Sequence, residues 1–332
     1  MSEWIWIVLA GTAILAAGLV FCMISMPGKN FSGKFSALSD GEMGVKEALE
    51  SHVETLASRI GERNIWRPRA MERAAQYIRA EFERLGLPVR EEEFPVWQAA
   101  ARNLEATLPG RDAAEEIVIV GAHYDTVLGS PGANDNASGV AAMLEIARLL
   151  RDSKLARTVR FVAFANEEPP FFFTSRQGSL VYARECRRRG DRIAAMLSLE
   201  TIGYYSEQAG SQRYPFPFGF FYPDRGDFIG FVGNLSSRGL VRRCIATFRA
   251  RVPFPAQGVA APGYLPGIYW SDHWAFWRQG YRAVMVTDTA PFRYPYYHTP
   301  EDTSDKLDYA RMARVVTGLA AVVRELASGQ RR

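Results

Sequence analysis

Two kinds of apolar spacing alternate along this chain. Between residues 44 and 86 the stretches "GVKEALESHVETLASRIG" and "PRAMERAAQYIRAEFERLG" carry apolar positions three and four apart, and each ends at a glycine. That spacing predicts two helices. "PVREEEFPV" and "RNLEATLPG" alternate instead, as half-buried strands do. "EIVIVGAHY", "TVRFVAFAN", "MLSLETIGYY" and "RAVMVTD" are almost continuously apolar, the pattern of strands covered on both faces. Helical spacing returns at 139–150, 180–189, 236–251, 271–279 and 305–327. The alternation predicts an α/β chain, a three-layer sandwich with a largely parallel, mixed central sheet and helices on both faces. No internal repeat or low-complexity segment interrupts it.

The N-terminus breaks the pattern. Residues 4–26 carry no charge, and these 23 residues as a helix reach ~34 Å at about 1.5 Å each, enough to cross a hydrocarbon core of ~30 Å. The expected organisation is a leader (1–3), a transmembrane anchor (4–26), a Gly/Ser/Lys linker (27–39) and one domain (40–332). A signal peptide is the alternative for 4–26, but the leader "MSE" lacks a basic residue, and Trp4 and Trp6 suit an interfacial belt. Lys29 and Lys34 follow the segment with nothing basic before it, so charge alone favours a cytoplasmic domain.

Composition narrows the function classes. Of 332 residues 48% are hydrophobic and 23% charged, which supports a large buried core and excludes disorder. The net charge of +4 is modest, and the basic run "RECRRRGDR" is short enough to be a solvated helix end, so no nucleic-acid partner is expected. Cys22, Cys186 and Cys244 form no CxxC pair, which excludes a disulfide framework and a thiolate metal site.

In open α/β sheets chemistry gathers beyond the carboxyl ends of the strands. Here those ends hold His123 and Asp125, then Glu167 and Glu168, then Glu200; His298 follows the last apolar strand, and Asp135 lies in the loop "GSPGANDNASG". Imidazole and carboxylate without thiolate suit zinc. Two histidines and three acids allow a two-metal site if one carboxylate bridges, and Asp135, in a Gly/Asn-rich loop before a helix start, is the natural bridge. His123 and Asp125, two apart in an extended segment, face the same way, so Asp125 can orient a ligand. Neighbouring strand residues point to opposite faces, so Glu167 and Glu168 can share a site only where the strand has ended. Pro169 and Pro170 make that end there.

The motifs "GAHYDT", "GANDNASG", "NEEPP", "SDHWAF" and "YYHTPEDT", in this order and spacing, resemble those of the M28 zinc aminopeptidases over about residues 53–327. The resemblance implies a zinc-exopeptidase-like fold, a peptide substrate and a pair of Zn2+ ions. It makes His123, Asp135 and Glu200 the ligands of one ion, and Asp135, Glu168 and His298 those of the other. It makes Glu167 the general base acting on a zinc-activated water, gives Tyr297 a part in holding the oxyanion, and places a cis peptide between Asp135 and Asn136. It also favours an extracytoplasmic domain. The family's usual residue at the Glu200 position is aspartate; the longer side chain leaves aminopeptidase and carboxypeptidase polarity both open. A glutaminyl-cyclase-like transferase and a catalytically silent interaction domain are the other readings. Asp272, with His273, is expected to line the site or cap a helix, and His52 to be structural. The aromatic stretch 204–222 fits a lid or core packing equally, and 171–173 packing or a pocket wall.

Overall fold

The computed structural model describes residues 11–12 and 18–329. Most of the expected anchor, 4–26, lies outside them; among the described residues no helix is long and apolar enough to cross a membrane. The segment 27–39 lies against the domain: Arg249 donates to the carbonyls of Pro27 and Gly28, and Phe35 stacks on Phe254.

The first helix, α1 (Asp40–Val53), starts four residues before the apolar spacing suggests. The reason is a capping box, in which the Ser39 hydroxyl accepts the Glu42 N–H and the Glu42 carboxylate accepts the Ser39 N–H. It continues as a wider π-turn helix, Glu54–Ile60, and stops at Gly61. Then come α2 (Pro68–Arg84), opened by its proline, and the antiparallel hairpin β1 (Val89–Val96) and β2 (Ala99–Leu108). The body alternates β3 (Ala113–His123), α3 (Gly139–Leu150), β4 (Arg157–Phe164), α4 (Gly178–Arg189) and β5 (Arg192–Glu200). After a long loop follow β6 (Ile229–Asn234), α5 (Arg238–Arg251), β7 (Ala256–Ala261), α6 (His273–Arg278), β8 (Ala283–Thr287), the short α7 (Ala290–Arg293) and α8 (Tyr309–Ala327). The basic run ends α4, where Arg188 pairs with Glu185 and Gly190 caps the helix with φ 74°.

One eight-stranded sheet runs β1-β2-β4-β3-β5-β8-β6-β7. Its centre, β4-β3-β5-β8, is parallel; β1, β2 and β6 introduce antiparallel pairs, so the sheet is mixed as expected. Alternation within β3 explains its unbroken apolar run: Val118 and Val120 face the core formed with α1, α3, α5 and α8, while Ile117 and Ile119 face the one formed with α4 and α6. Parallel pairing sets His123 beside Phe164 and Glu200 beside Thr287, so the strands that hold the candidate ligands end at one edge.

Candidate active site

His123 closes β3 in a fully buried position. Two residues on, Asp125 does more than orient it. One Asp125 oxygen accepts the backbone N–H of Glu167 and the other that of Glu168, each at 3.1 Å. The first of these lies 3.5 Å from His123 Nδ1, and the Asp125 carbonyl lies 3.3 Å from the same nitrogen. With Nδ1 facing these acceptors, the tautomer that carries its proton there leaves Nε2 free to ligate. The acid doublet thus hangs from the same carboxylate that faces the histidine. β4 has ended at Phe164, Asn166 turns the chain with φ 58°, and Pro169–Pro170 is cis.

Asp135 lies in the turn Ala133–Ser138 ahead of α3, and its peptide bond to Asn136 is cis. Contacts with distant parts of the chain hold that turn. The Asp302 carboxylate accepts the N–H groups of Asn134 (2.8 Å) and Asp135 (3.1 Å), and is itself bonded by the Tyr294 hydroxyl at 2.9 Å. Asn136 donates to the Leu199 carbonyl and accepts from the Thr201 N–H, which straddles Glu200. Arg63, fully buried, donates to the carbonyls of Pro131 and Gly132 and to those of Leu56, Gly61 and Tyr124. Gly132 is required: its φ is +61°, and a Cβ there would meet the Asp135 carbonyl oxygen at 2.2 Å.

The five expected ligands converge. His123 Nε2 stands 3.3 Å from Asp135 Oδ1 and 3.4 Å from Glu200 Oε2. His298 Nε2 stands 3.1 Å from Asp135 Oδ2 and 3.4 Å from Glu168 Oε2. Three sets of possible donor atoms result: His123/Asp135/Glu200 and Asp135/Glu168/His298, which share Asp135, and His123/Glu167/Glu168, which brings Glu167 within reach of a ligand from each of the other two. Glu167 Oε2 approaches His123 Nε2 at 3.9 Å. His298 and Thr201, beside Glu200, adopt left-handed φ values of 60° and 45°, uncommon for such residues and typical of functional turns.

The donor set fits a cation. His123 Nε2, Asp135 Oδ1 and Glu168 Oε1 are buried without a hydrogen-bond partner, an expensive arrangement unless something positive fills the space between them. Burial, followed by the Asp135 carboxylate, pushes Glu168 up to about 7, and burial drives Glu167 well above the usual carboxylate range against the opposing pull of His123. Burial lowers the His298 imidazole, but Asp135 and Glu168 outweigh it and lift the group to about 10. Acids this crowded keep their charge where a metal balances it.

Of the remaining expected residues, Tyr297 stacks on His298 with ring centres 3.8 Å apart and lines the same cavity as the ligands. Asp272 occupies the N-cap position of α6, yet its side chain makes no capping bond; burial raises it to about 7, with Glu200 and Asp125 adding to the shift. The contact to Glu200 comes instead from Ser271, whose hydroxyl donates to Glu200 Oε2 at 2.7 Å. His273 Nε2 donates to the Ile268 carbonyl, and burial lowers its pKa to about 4. His52 bonds Tyr77 at 2.7 Å, away from the cluster. Asp302, Asn136, Ser271 and Arg63 are supports that the sequence reading did not single out. A signal existed for Asn136, Ser271 and Asp302, each of which sits in one of the motifs quoted above.

Beside the cluster opens a cavity of about 200 Å³, walled by Phe172, Phe218, Tyr222, Ile268, Trp270 and Phe292. The stretch 204–222 therefore serves in part as a wall, with Phe218 and Tyr222 turned in, while of the 171–173 triplet Phe172 lines the cavity and Phe171 is buried against Trp97.

A mixed α/β sheet with an imidazole and carboxylate cluster at its carboxyl edge and an apolar cavity alongside is the architecture of a metal-dependent enzyme. The chain belongs to peptidase family M28, whose sequence model matches residues 103–323. It is 38% identical over 286 residues to the uncharacterized protein YfbL of Escherichia coli K12, an alignment covering 83% of this chain and 87% of that one. It is 29% identical to aminopeptidase YwaD of Bacillus subtilis, over 63% of this chain and 41% of that protein. Against leucine aminopeptidase 1 of Arthroderma otae identity is 30%, over 67% of this chain and 57% of the fungal protein. Among solved structures, a zinc aminopeptidase from Bacillus subtilis superposes with a TM-score of 0.70 at 17% identity, covering 86% of this chain and 96% of that one. A Fimbriiglobus ruber glutaminyl cyclase superposes with 0.64 at 22% identity, covering 90% and 99%. The family implies zinc.

Proposed function

We propose that the chain is an aminopeptidase that holds two zinc ions, one through His123, Asp135 and Glu200 and one through Asp135, Glu168 and His298. The observation that carries this reading is Asp135, whose two oxygens each face a different histidine. When bound, the ions supply Lewis-acid polarisation and acidify water. The rest belongs to the chain. Glu167, beside both donor sets, accepts the proton of the attacking water and delivers it to the amine that leaves as the peptide C–N bond breaks. The Tyr297 hydroxyl donates to the oxyanion of the tetrahedral intermediate. The cavity receives an apolar terminal side chain, and its Phe172, Ile268 and Trp270 walls exclude water from it. Ser271 fixes the longer arm of Glu200, so a glutamate performs there as an aspartate elsewhere in the family does.

Residues 4–26 anchor this enzyme in a membrane, and 40–332 form the peptidase domain. The relatives named as aminopeptidases support action at peptide N-termini. The test is a panel of leucyl-nitroanilide, its N-acetylated form, a C-terminally extended blocked peptide and a Gln-peptide, alongside zinc content. Free amino-terminal substrates alone should be hydrolysed; cyclisation of the Gln-peptide without hydrolysis, or release from the C-terminus, overturns the reading.

A further inference from the structure

The loop 213–223, "RYPFPFGFFYP", divides its aromatic residues between two surroundings. Phe218 and Tyr222 turn inward onto Val232, Val259, Ile268 and Met285, and the Tyr222 hydroxyl bonds the Gly258 carbonyl at 2.7 Å. Phe216 and Phe220 turn outward, with rings packed edge to face and exposures of 87% and 78%. Phe221 is exposed beside them. Three phenylalanines exposed on one loop whose inner residues wall the cavity form an apolar surface that something covers.

What covers it is indicated by a second element. Residues 18–24 are helical, and Met23 packs into the cluster that holds Phe218, Tyr222 and Leu265. Arg238 Nε donates to the Cys22 carbonyl at 2.7 Å and Arg242 donates to that of Ser25, so this helix end is clamped to α5. On its outer side Leu19 and Phe21 are exposed. In the sequence the uncharged residues 4–17 precede it. The aromatic lip and the end of the apolar segment therefore share one side of the domain.

We infer that the lip formed by Phe216, Phe220 and Phe221 dips into the same bilayer surface that the apolar residues ahead of Cys22 enter, so that the active-site cavity opens at the lipid interface. This rests on the anchor reading above. It gives the enzyme access to peptide N-termini presented at a membrane surface, since the inner residues of the lip wall the cavity while its outer ones hold lipid.

The full chain carrying Cys22→Ser has only buried cysteines, Cys186 and Cys244, so Phe220→Cys can be labelled alone with a nitrobenzoxadiazole dye. In phosphatidylcholine/phosphatidylglycerol vesicles with nitroxide-bearing lipids, the dye at 220 should lose most of its emission. The same dye at Asp152→Cys, exposed on the loop before β4 at the opposite edge of the sheet, should keep it. In a second measurement, F216S/F220S should cleave a vesicle-anchored peptide about tenfold more slowly while its rate on leucyl-nitroanilide stays unchanged, because neither residue lines the cavity. An unquenched dye on a protein that floats with the vesicles overturns the lip. A protein that does not float overturns the anchor and the lip together, while nitroanilide hydrolysis reports independently on the peptidase reading. Emission that follows protein density instead of nitroxide lipid assigns the lip to a second copy and likewise overturns the proposal.

Discussion

Asp125→Asn tests whether one carboxylate aligns the whole site. Asparagine keeps the shape, but its amide replaces one oxygen with a donor. The two Asp125 oxygens accept from the N–H groups of Glu167 and Glu168, so in either orientation of the amide one of those donors faces another donor. The loss is one charge-assisted hydrogen bond in a buried place, about 1.5–3 kcal/mol. At about 1.4 kcal/mol per factor of ten this is roughly 10- to 100-fold, the range by which such supports alter metal affinity or turnover. The cost should divide by orientation. If Glu168 loses its hold, zinc affinity falls; if Glu167 does, kcat falls with zinc retained. Competition of zinc with a chromophoric chelator gives the first, and saturating turnover on leucyl-nitroanilide the second. Both are compared with the thermal midpoint, which a merely structural residue would lower alone. A variant with wild-type zinc affinity and wild-type kcat refutes the assignment whatever its midpoint.

Glu167→Gln should keep its zinc by elemental analysis while kcat drops about 10²- to 10⁴-fold; an undiminished rate removes Glu167 as the base. Glu168→Ala should reduce zinc content in the same measurement, and a full two-ion complement refutes its place among the ligands. Glu105, between β1 and β4, has a different role: burial raises its pKa, but hydrogen bonds from Arg90 and Tyr182, each at 2.7 Å, outweigh this and hold it below the usual range. Because the folded pKa is depressed, its stabilisation is present above the unfolded value near ~4.3 and is lost as pH falls through the folded one. Glu105→Gln should therefore lower the urea midpoint at neutral pH by an amount that shrinks towards pH 3; a constant gap refutes the pairing.

The sequence made the convergence of the candidate ligands legible because each is a distinctive residue type placed where an apolar run stops, and parallel strands stop together. The central strands were legible for the same reason. β6, "IGFVGN", and β7, "AQGVAA", were not: they are six residues each, and glycine and alanine dilute the apolar signal that a strand of Val and Ile announces. Their side of the sheet forms the cavity, so the pocket was less visible than the metal ligands. The true start of α1 was hidden for a different reason, since a capping box is a polar feature lying ahead of the apolar spacing.

The supports were hidden by distance along the chain. Asn134 and Asp302 meet across 168 residues, Asn136 and Thr201 across 65, and Arg63 reaches Gly132 across 69. Their motifs mark Asp302 and Asn136, but nothing in a local window says what such an Asp, Asn or Arg supports, because that lies in backbone groups elsewhere that need a partner once buried. The acid doublet shows both sides of this. Glu167 and Glu168 are conspicuous because two like charges end an apolar strand, and the geometry that reconciles them comes from Asp125, 42 and 43 residues away. That carboxylate takes up the backbone N–H groups of both, which frees both side chains to face the cluster. A cation between the side chains would balance the charges, while the alignment comes from the Asp125 carboxylate behind the main chain. The two requirements are separable, which is why Asp125→Asn should disturb alignment in a protein whose ligand set is complete.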